Sequence, residues 1–197
     1  MIEISRKHRE PLVVKDAHTV DEAVEYMARN HISLEGADLS ATDLSWTDLS
    51  GANLSGSDLS GADLSYAYLL HADLSQADLS YANLSHSNLR GVDLTDANLR
   101  RADLSHANLS CADLRCADLS RADLSGANID FSCLPLWCGS LDMKIDKKIF
   151  CQLLYHTLRA GKSVKDEEVQ KILSNPENIT MANQFHRAVE CGKIRGK

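Results

Sequence analysis

The chain is 197 residues long, 44% hydrophobic and 25% charged, with a formal net charge of −7. Residues 1–34 carry a net of −1, residues 35–130 a net of −10 and residues 131–197 a net of +4, so the acid is concentrated in the middle. An acidic middle argues against general nucleic-acid binding by that region. Six cysteines, irregularly spaced and absent from the first 110 residues, do not read as a disulfide framework.

The N-terminal stretch Met1-Ile2-Glu3-Ile4-Ser5-Arg6-Lys7 lacks the apolar run of a signal peptide, and no segment approaches membrane-spanning length. The expectation is a soluble, cytoplasmic protein with reduced thiols. Residues 1–33 read as an N-terminal segment with one helix, over about 20–31. Thr19 stands as its N-cap, Glu22 follows three residues later, and the apolar run Ala23-Val24 comes next.

From Leu34 to Leu134 leucine recurs every five residues, replaced once by Ile129. Two residues before it sits a small residue, mostly Ala; one before it, Asp or Asn; one after it, usually Ser. Five residues advance an α-helix by about 500°, which scatters the leucines round the axis. In a flat strand, odd spacing sends alternate leucines to opposite faces. Within one unit, however, period-two alternation holds, with Ala and Leu inward and Asp and Ser outward. The leucines share one interior only if the chain turns a corner every five residues, giving a solenoid of short strand-like edges. Asp, Asn, Ser and Gly suit such corners. Coils stack about 4.8 Å apart, and each buried leucine contributes about 2 kcal/mol.

The units Gly61-Ala62-Asp63-Leu64-Ser65, Gln76-Ala77-Asp78-Leu79-Ser80 and Arg121-Ala122-Asp123-Leu124-Ser125 closely resemble those of pentapeptide-repeat proteins, over residues 35–134. The resemblance implies a right-handed, four-sided β-helix with four units, twenty residues, per coil, and hence about five coils. The expected class is mainly β: a β-helix over 34–134 between an N-terminal capping helix and a C-terminal α-helical cap over 135–197.

In that last region Ile149, Phe150, Leu153, Leu154 and Leu158 form a wide apolar face at helical spacing, with a stop at Gly161. Further helices are expected over 166–174, ended by Asn175-Pro176, and over 180–190, with Met181, Phe185 and Val189 on one side. These helices either cover the last coil or pair two chains, so the protein is a monomer or a C-terminal dimer.

With twenty residues per coil, outward residues sort into columns. Asp38, Asp58, Asp78, Asn98 and Asp118 form one, and Asp43, Asp63, Asn83, Asp103 and Asp123 the next. Asp48, Tyr68, Asn88, Asn108 and Asn128 form a third, and Asn53, Asp73, Asp93 and Asp113 the fourth. Three columns are acidic and the third is nearly neutral. Into it falls the one aberrant unit, in which Tyr68 replaces Asp and Leu70 replaces Ser. Tyr66 and His71 flank it, and Trp46 and His86 share the column of Tyr66. Together these six form a candidate interaction patch, against the plainer reading of drift on a regular surface stabilised by stacked aromatics.

Two functions follow. One is a scaffold that binds an unidentified protein partner through this patch or the C-terminal helices. The other uses the Asp columns. A net of −10 over five coils is about one charge per 2.4 Å, against about one per 1.7 Å on duplex DNA. The resemblance points the same way, because some family members bind DNA gyrase as DNA mimics and protect it from quinolones. Against it, Asp and Asn are the ordinary outward residues of this repeat, and from Gly36 to Asn128 no loop interrupts the array. The partner would then be a topoisomerase.

No phosphate-binding glycine loop, nucleophile elbow or paired zinc-ligand motif occurs. His86 and His106 stack in one column, but two ligands without a convergent third make a poor metal site. Cys111 and Cys116 stand on successive corners, farther apart than the roughly 7 Å a disulfide spans. Cys133, Cys138, Cys151 and Cys191 read as small buried hydrophobes. The expectation is no enzyme, no cofactor, no membrane and no direct contact with nucleic acid.

Overall fold

The computed structural model describes residues 1–7, 9–130 and 132. The chain opens with an antiparallel hairpin, β1 (Ile2–Ile4) and β2 (Leu12–Val14), in the register Ile2↔Val14, Glu3↔Val13 and Ile4↔Leu12. Helix α1 (Val20–Arg29) follows and buries Ala23, Val24, Met27 and Ala28. Thr19 is its N-cap residue, yet the Thr19 side chain makes no cap hydrogen bond. The Glu22 carboxylate instead accepts the N–H of His18 at 2.9 Å, so the expected capping box is half made and shifted by one residue. At the other end the Ile32 N–H donates to the Met27 carbonyl and the His31 N–H to the Ala28 carbonyl, with His31 left-handed at φ 56°. That is a Schellman closure in which histidine stands where glycine is usual.

From residue 34 the repeat sets the structure. Single parallel bridges join each outward residue to the one twenty residues later, from Asp38↔Asp58 to Asn108↔Asn128. Four units therefore make one circuit. The leucines from Leu34 to Leu124 and the inward alanines are almost wholly buried. The expected strand-like sides contract to one bridge position each. Two of every five residues are spent on a turn, leaving too few extended residues for a longer ladder.

Every N–H of a regular unit has a partner, as the unit Gln76–Ser80 illustrates. Gln76 donates to the Thr95 carbonyl of the next coil at 2.9 Å, and Leu79 to that of Asn98 at 2.8 Å. Asp78 donates back to the Ser57 carbonyl of the previous coil at 2.9 Å, and Ala77 closes the turn on the Leu74 carbonyl at 3.1 Å. The fifth, Ser80 N–H, has no backbone acceptor and donates to Oδ1 of Asp78 at 2.9 Å. The complete pairing that buried backbone demands thus requires Asp or Asn just before each leucine.

The corner residue itself, in the fifth position, is left-handed. Non-glycine residues from Ala41 to Arg121 hold φ between 52° and 64° there. This corrects the expectation that Asp, Asn, Ser or Gly would form the corners: Trp, Tyr, His, Arg and Cys occupy the left-handed place. The conformation costs about 1–2 kcal/mol per residue, offset by the turn bond and the inter-coil bond made at each corner.

The N-terminal segment meets the first coil on two of its sides. Arg6 bridges Ala37, the Lys7 N–H donates to the Gly36 carbonyl at 2.9 Å, and the Asp38 N–H donates to the Ser5 carbonyl at 2.8 Å. Two sides on, the Asp48 N–H donates to Oε1 of Glu25 in α1 at 2.9 Å. In later coils these amides pair with the preceding coil, so the segment supplies acceptors that a first coil lacks. The C-terminal face of Ile149, Phe150, Leu153, Leu154 and Leu158, and the four cysteines from Cys133 onward, lie outside the described residues.

Candidate interaction surface

The bridges reproduce all four outward columns. They place Tyr68 between Asp48 and Asn88 on the third side, preceded by the corner of Trp46, Tyr66, His86 and His106 and followed by the corner of His71, Gly91 and Cys111. Because each corner has the same left-handed backbone and coils repeat at a strand spacing, corner side chains leave in one direction and lie on one another. Trp46 and Tyr66 stack with ring centroids 4.4 Å apart and planes 1° apart; Tyr66–His86 and His86–His106 follow, each at 4.8 Å. The stack reaches one histidine beyond the candidate patch and ends where the His106 ring overlies Gly126; the ring of His71 overlies Gly91 in the same way.

Trp46 is 64% exposed, Tyr66 40% and Tyr68 50%, and Leu70 is half-buried. The structure brings Trp46, Tyr66 and His86 into contact as one column. It places Tyr68 on the adjoining side and His71 at the far corner.

The Tyr68 unit also breaks the hydrogen-bond scheme. From Ser40 to Asp130, each N–H two residues after an outward Asp or Asn donates to that residue's Oδ1, as in Ser65 to Asp63 at 2.9 Å and Ser75 to Asp73 at 3.0 Å. Tyr68 offers no such oxygen, and the Leu70 N–H is the one donor of its class without an acceptor among the described residues.

The aspartates lie along the surface for the same reason. Hydrogen bonds from the Ser40 hydroxyl and N–H hold Asp38 below its ordinary pKa, and those from Ser45 do so for Asp43. Asp113 is lowered by hydrogen bonding to Arg115, and the pair closes at 2.7 Å. Burial raises Asp118, but Ser120 and the Arg100 guanidinium, 3.6 Å away, outweigh it. Aspartates follow one another directly at Asp38–Asp58–Asp78 and Asp73–Asp93–Asp113, and at two places an asparagine carboxamide bonds the carboxylate of the coil before. Asn83 Nδ2 donates to Asp63 at 3.1 Å and Asn98 Nδ2 to Asp78 at 3.0 Å.

Acid is unevenly spread along the columns. Residues 35–89 hold eight carboxylates and no Lys or Arg; residues 90–130 hold seven carboxylates and five arginines. Asp43, Asp58, Asp63, Asp73 and Asp78 therefore stand where residues 35–89 offer no cation, whereas the N-terminal segment brings Lys7 near Asp38 and pairs Arg9 with Glu35 at 2.7 Å. Asp93, Asp103, Asp113, Asp118 and Asp123 share their coils with arginine. A pairing that sequence reasoning missed is Arg101 over the ring of Tyr81, 5.4 Å from its centroid. Spacing by twenty residues was the available signal. Cys111 and Cys116 are free and exposed. No cluster of metal-ligating side chains occurs among the described residues, and none of their helices is long and apolar enough to cross a membrane.

A family model for pentapeptide repeats matches residues 30–56, 57–96 and 97–134, in eight copies. No curated protein matches the chain. Among solved structures it is similar to Rfr23, a pentapeptide repeat protein from the cyanobacterium Cyanothece 51142, at 37% identity over 53% of this chain and 60% of that one, with a TM-score of 0.34. It is similar to HetL, involved in heterocyst differentiation regulation in the cyanobacterium Nostoc sp. strain PCC 7120, at 34% identity over 59% and 55%, with a TM-score of 0.23. It is similar to QnrB1, a plasmid-mediated fluoroquinolone resistance protein, at 19% identity over 60% and 88%, with a TM-score of 0.31. The match spans less than two thirds of the length of Rfr23 and of HetL.

Proposed function

Because the chain belongs to the pentapeptide-repeat family, we propose that it is a non-enzymatic, cytoplasmic scaffold acting by protein–protein interaction through its solenoid surface. In this reading a right-handed β-helix of about five coils is capped by α1 at one end and by helices of residues 135–197 at the other. The protein is a monomer or a C-terminal dimer.

The observation that carries the reading is the side containing Tyr68. Among the described residues it alone has a bridge-column residue other than Asp or Asn, and the adjoining corner holds Trp46 and Tyr66 exposed in one stack. Exposed aromatic groupings of this kind are enriched where proteins bind one another. A photocrosslinking amino acid at position 68 of the full chain, in extract of its own cell, is expected to give a discrete protein adduct. A crosslinker at position 118 is expected to give none. Equal adducts from both positions sink the reading.

A second reading, imitation of DNA toward a gyrase or other topoisomerase, is favoured by the charge distribution. Residues 35–89 hold eight carboxylates over fewer than three coils. With Glu35 paired to Arg9, seven remain, about one charge per 1.9 Å against about one per 1.7 Å on duplex DNA. Titrating the protein into a bacterial gyrase supercoiling assay at two salt concentrations tests it. Salt-sensitive inhibition at low micromolar protein supports mimicry, and no effect at large excess removes it.

A further inference from the structure

We propose that the side carrying Tyr68 binds an extended segment of a partner protein with an apolar centre and arginine or lysine at both ends. The proposal rests on the scaffold reading and names the chemistry of its partner.

Three observations meet at one place. The Leu70 N–H has lost the carboxylate or carboxamide that its counterparts bond, so a donor faces outward on a structure whose other donors of that class are engaged. A backbone carbonyl of an extended chain supplies the missing acceptor. Beside it, Tyr68 is exposed and Leu70 half-buried, flanked by the Trp46–Tyr66 stack, which gives apolar area for one or two side chains.

The third observation is charge. Every outward charge in residues 35–89 is negative. Arg9 pairs with Glu35 and Lys7 lies near Asp38, while Asp63 and Asp73, on either side of Tyr68, have no ion pair among the described residues. The nearest Lys or Arg in sequence to this side is Arg90, one coil beyond Leu70. A side bears three extended residues, about 10 Å at 3.3 Å each. An extended segment seated across Tyr68 therefore overhangs both corners, toward Asp63 on the side before and Asp73 on the side after. Long basic side chains at its two ends reach those carboxylates, the stem at one end lying on the Trp46–Tyr66 corner and that at the other passing the His71 corner.

The full chain is titrated into fluorescein-labelled Arg-Arg-Leu-Val-Leu-Arg-Arg, and into the same peptide with Glu for Arg, by fluorescence anisotropy. The expected result is saturable binding of the basic peptide alone. Tyr68→Asp with Leu70→Ser, which restores the repeat, is expected to weaken it about tenfold or more. Because that variant adds a negative charge, attraction by charge alone predicts tighter binding, so equal or tighter binding overturns the proposal. So does no saturable binding of the basic peptide, or equal binding of the acidic one. In those cases a crosslinked adduct from position 68 still upholds the scaffold reading, and its loss removes both. The variant regains an acceptor for its residue 70 N–H and is expected to unfold no earlier than wild type.

Discussion

Residues 35–89 and residues 90–130 fold by the same rule and present different surfaces. Inside, both halves stack Leu and Ala with the same bridges twenty residues apart. Outside, the first half has eight carboxylates, no Lys or Arg, and the exposed Trp46, Tyr66 and Tyr68; the second sets five arginines among seven carboxylates. The contrast separates fold from function. Inward positions of such a repeat are fixed by packing and the Asp or Asn before each leucine by backbone bonding, whereas the corner side chains and the departures from Asp or Asn are freer to answer to whatever the surface meets.

The largest expected effect tests the claim that the interiors are equivalent. Leu74→Ala in the first half and Leu104→Ala in the second each remove a wholly buried side chain, and each is expected to cost about 2–5 kcal/mol. Urea unfolding followed by circular dichroism measures both. Costs differing by more than about 1 kcal/mol would show that the halves are not one structure repeated.

Next come the corners. Gly61→Ala adds a methyl group into open space at φ +65°, while Gly91→Ala drives it into the imidazole of His71 at φ +66°. The first is expected to cost the left-handed strain alone, about 1 kcal/mol. The second should cost about 1 kcal/mol more, from the ring it displaces. Adding His71→Ala should return Gly91→Ala to the cost of Gly61→Ala in thermal unfolding. No rescue would mean that the ring does not rest on the glycine.

A smaller effect concerns the acceptor in front of each leucine. Asp78→Asn keeps an Oδ1 for the Ser80 N–H and is expected to change stability by less than about 0.5 kcal/mol. Asp78→Ala leaves that N–H and Asn98 Nδ2 without their acceptor and should cost about 1–2 kcal/mol. Equal costs for Asn and Ala would show that the aspartates serve as charge alone.

The interior was legible because a period of five admits one common interior, and columns twenty residues apart follow once four units make a circuit. The aspartates were read as outward charge because residue spacing does not show where a carboxylate oxygen turns. Their bond to the N–H two residues on emerges only when the backbone donors are followed one by one. Hairpin β1–β2 was missed because strands of three residues, Ile2–Ile4 and Leu12–Val14, carry too little alternation to register. The corners were assigned to turn-forming residues, yet stacking between coils lets Trp46, Tyr66 and Arg101 hold a left-handed backbone. The six residues of the candidate patch divide between a corner where Trp46, Tyr66 and His86 stack, a side that bears Tyr68 and Leu70, and a far corner that bears His71.

The smallest effect separates the two halves by what holds their carboxylates. Asp38 and Asp43 are lowered chiefly by serine hydroxyl and N–H donors, with a smaller pull from Lys7 on Asp38 alone, whereas Asp113 and Asp118 also answer to Arg115 and Arg100. In the unfolded chain an aspartate titrates near about 3.9. A folded value below that means the folded state binds fewer protons through this range. The stability contributed is therefore fully present above the unfolded value and lost as pH falls through the folded one. All four should thus add to acid lability below about pH 4, and none should matter at neutral pH. Salt distinguishes them, because exposed ion pairs are screened while neutral hydrogen bonds are not. Carboxyl chemical shifts followed from pH 6 to pH 2 are expected to show Asp113 and Asp118 moving toward the ordinary value at high salt, with Asp43 unchanged. A uniform shift of all four would mean that one field, and not local donors, governs both halves.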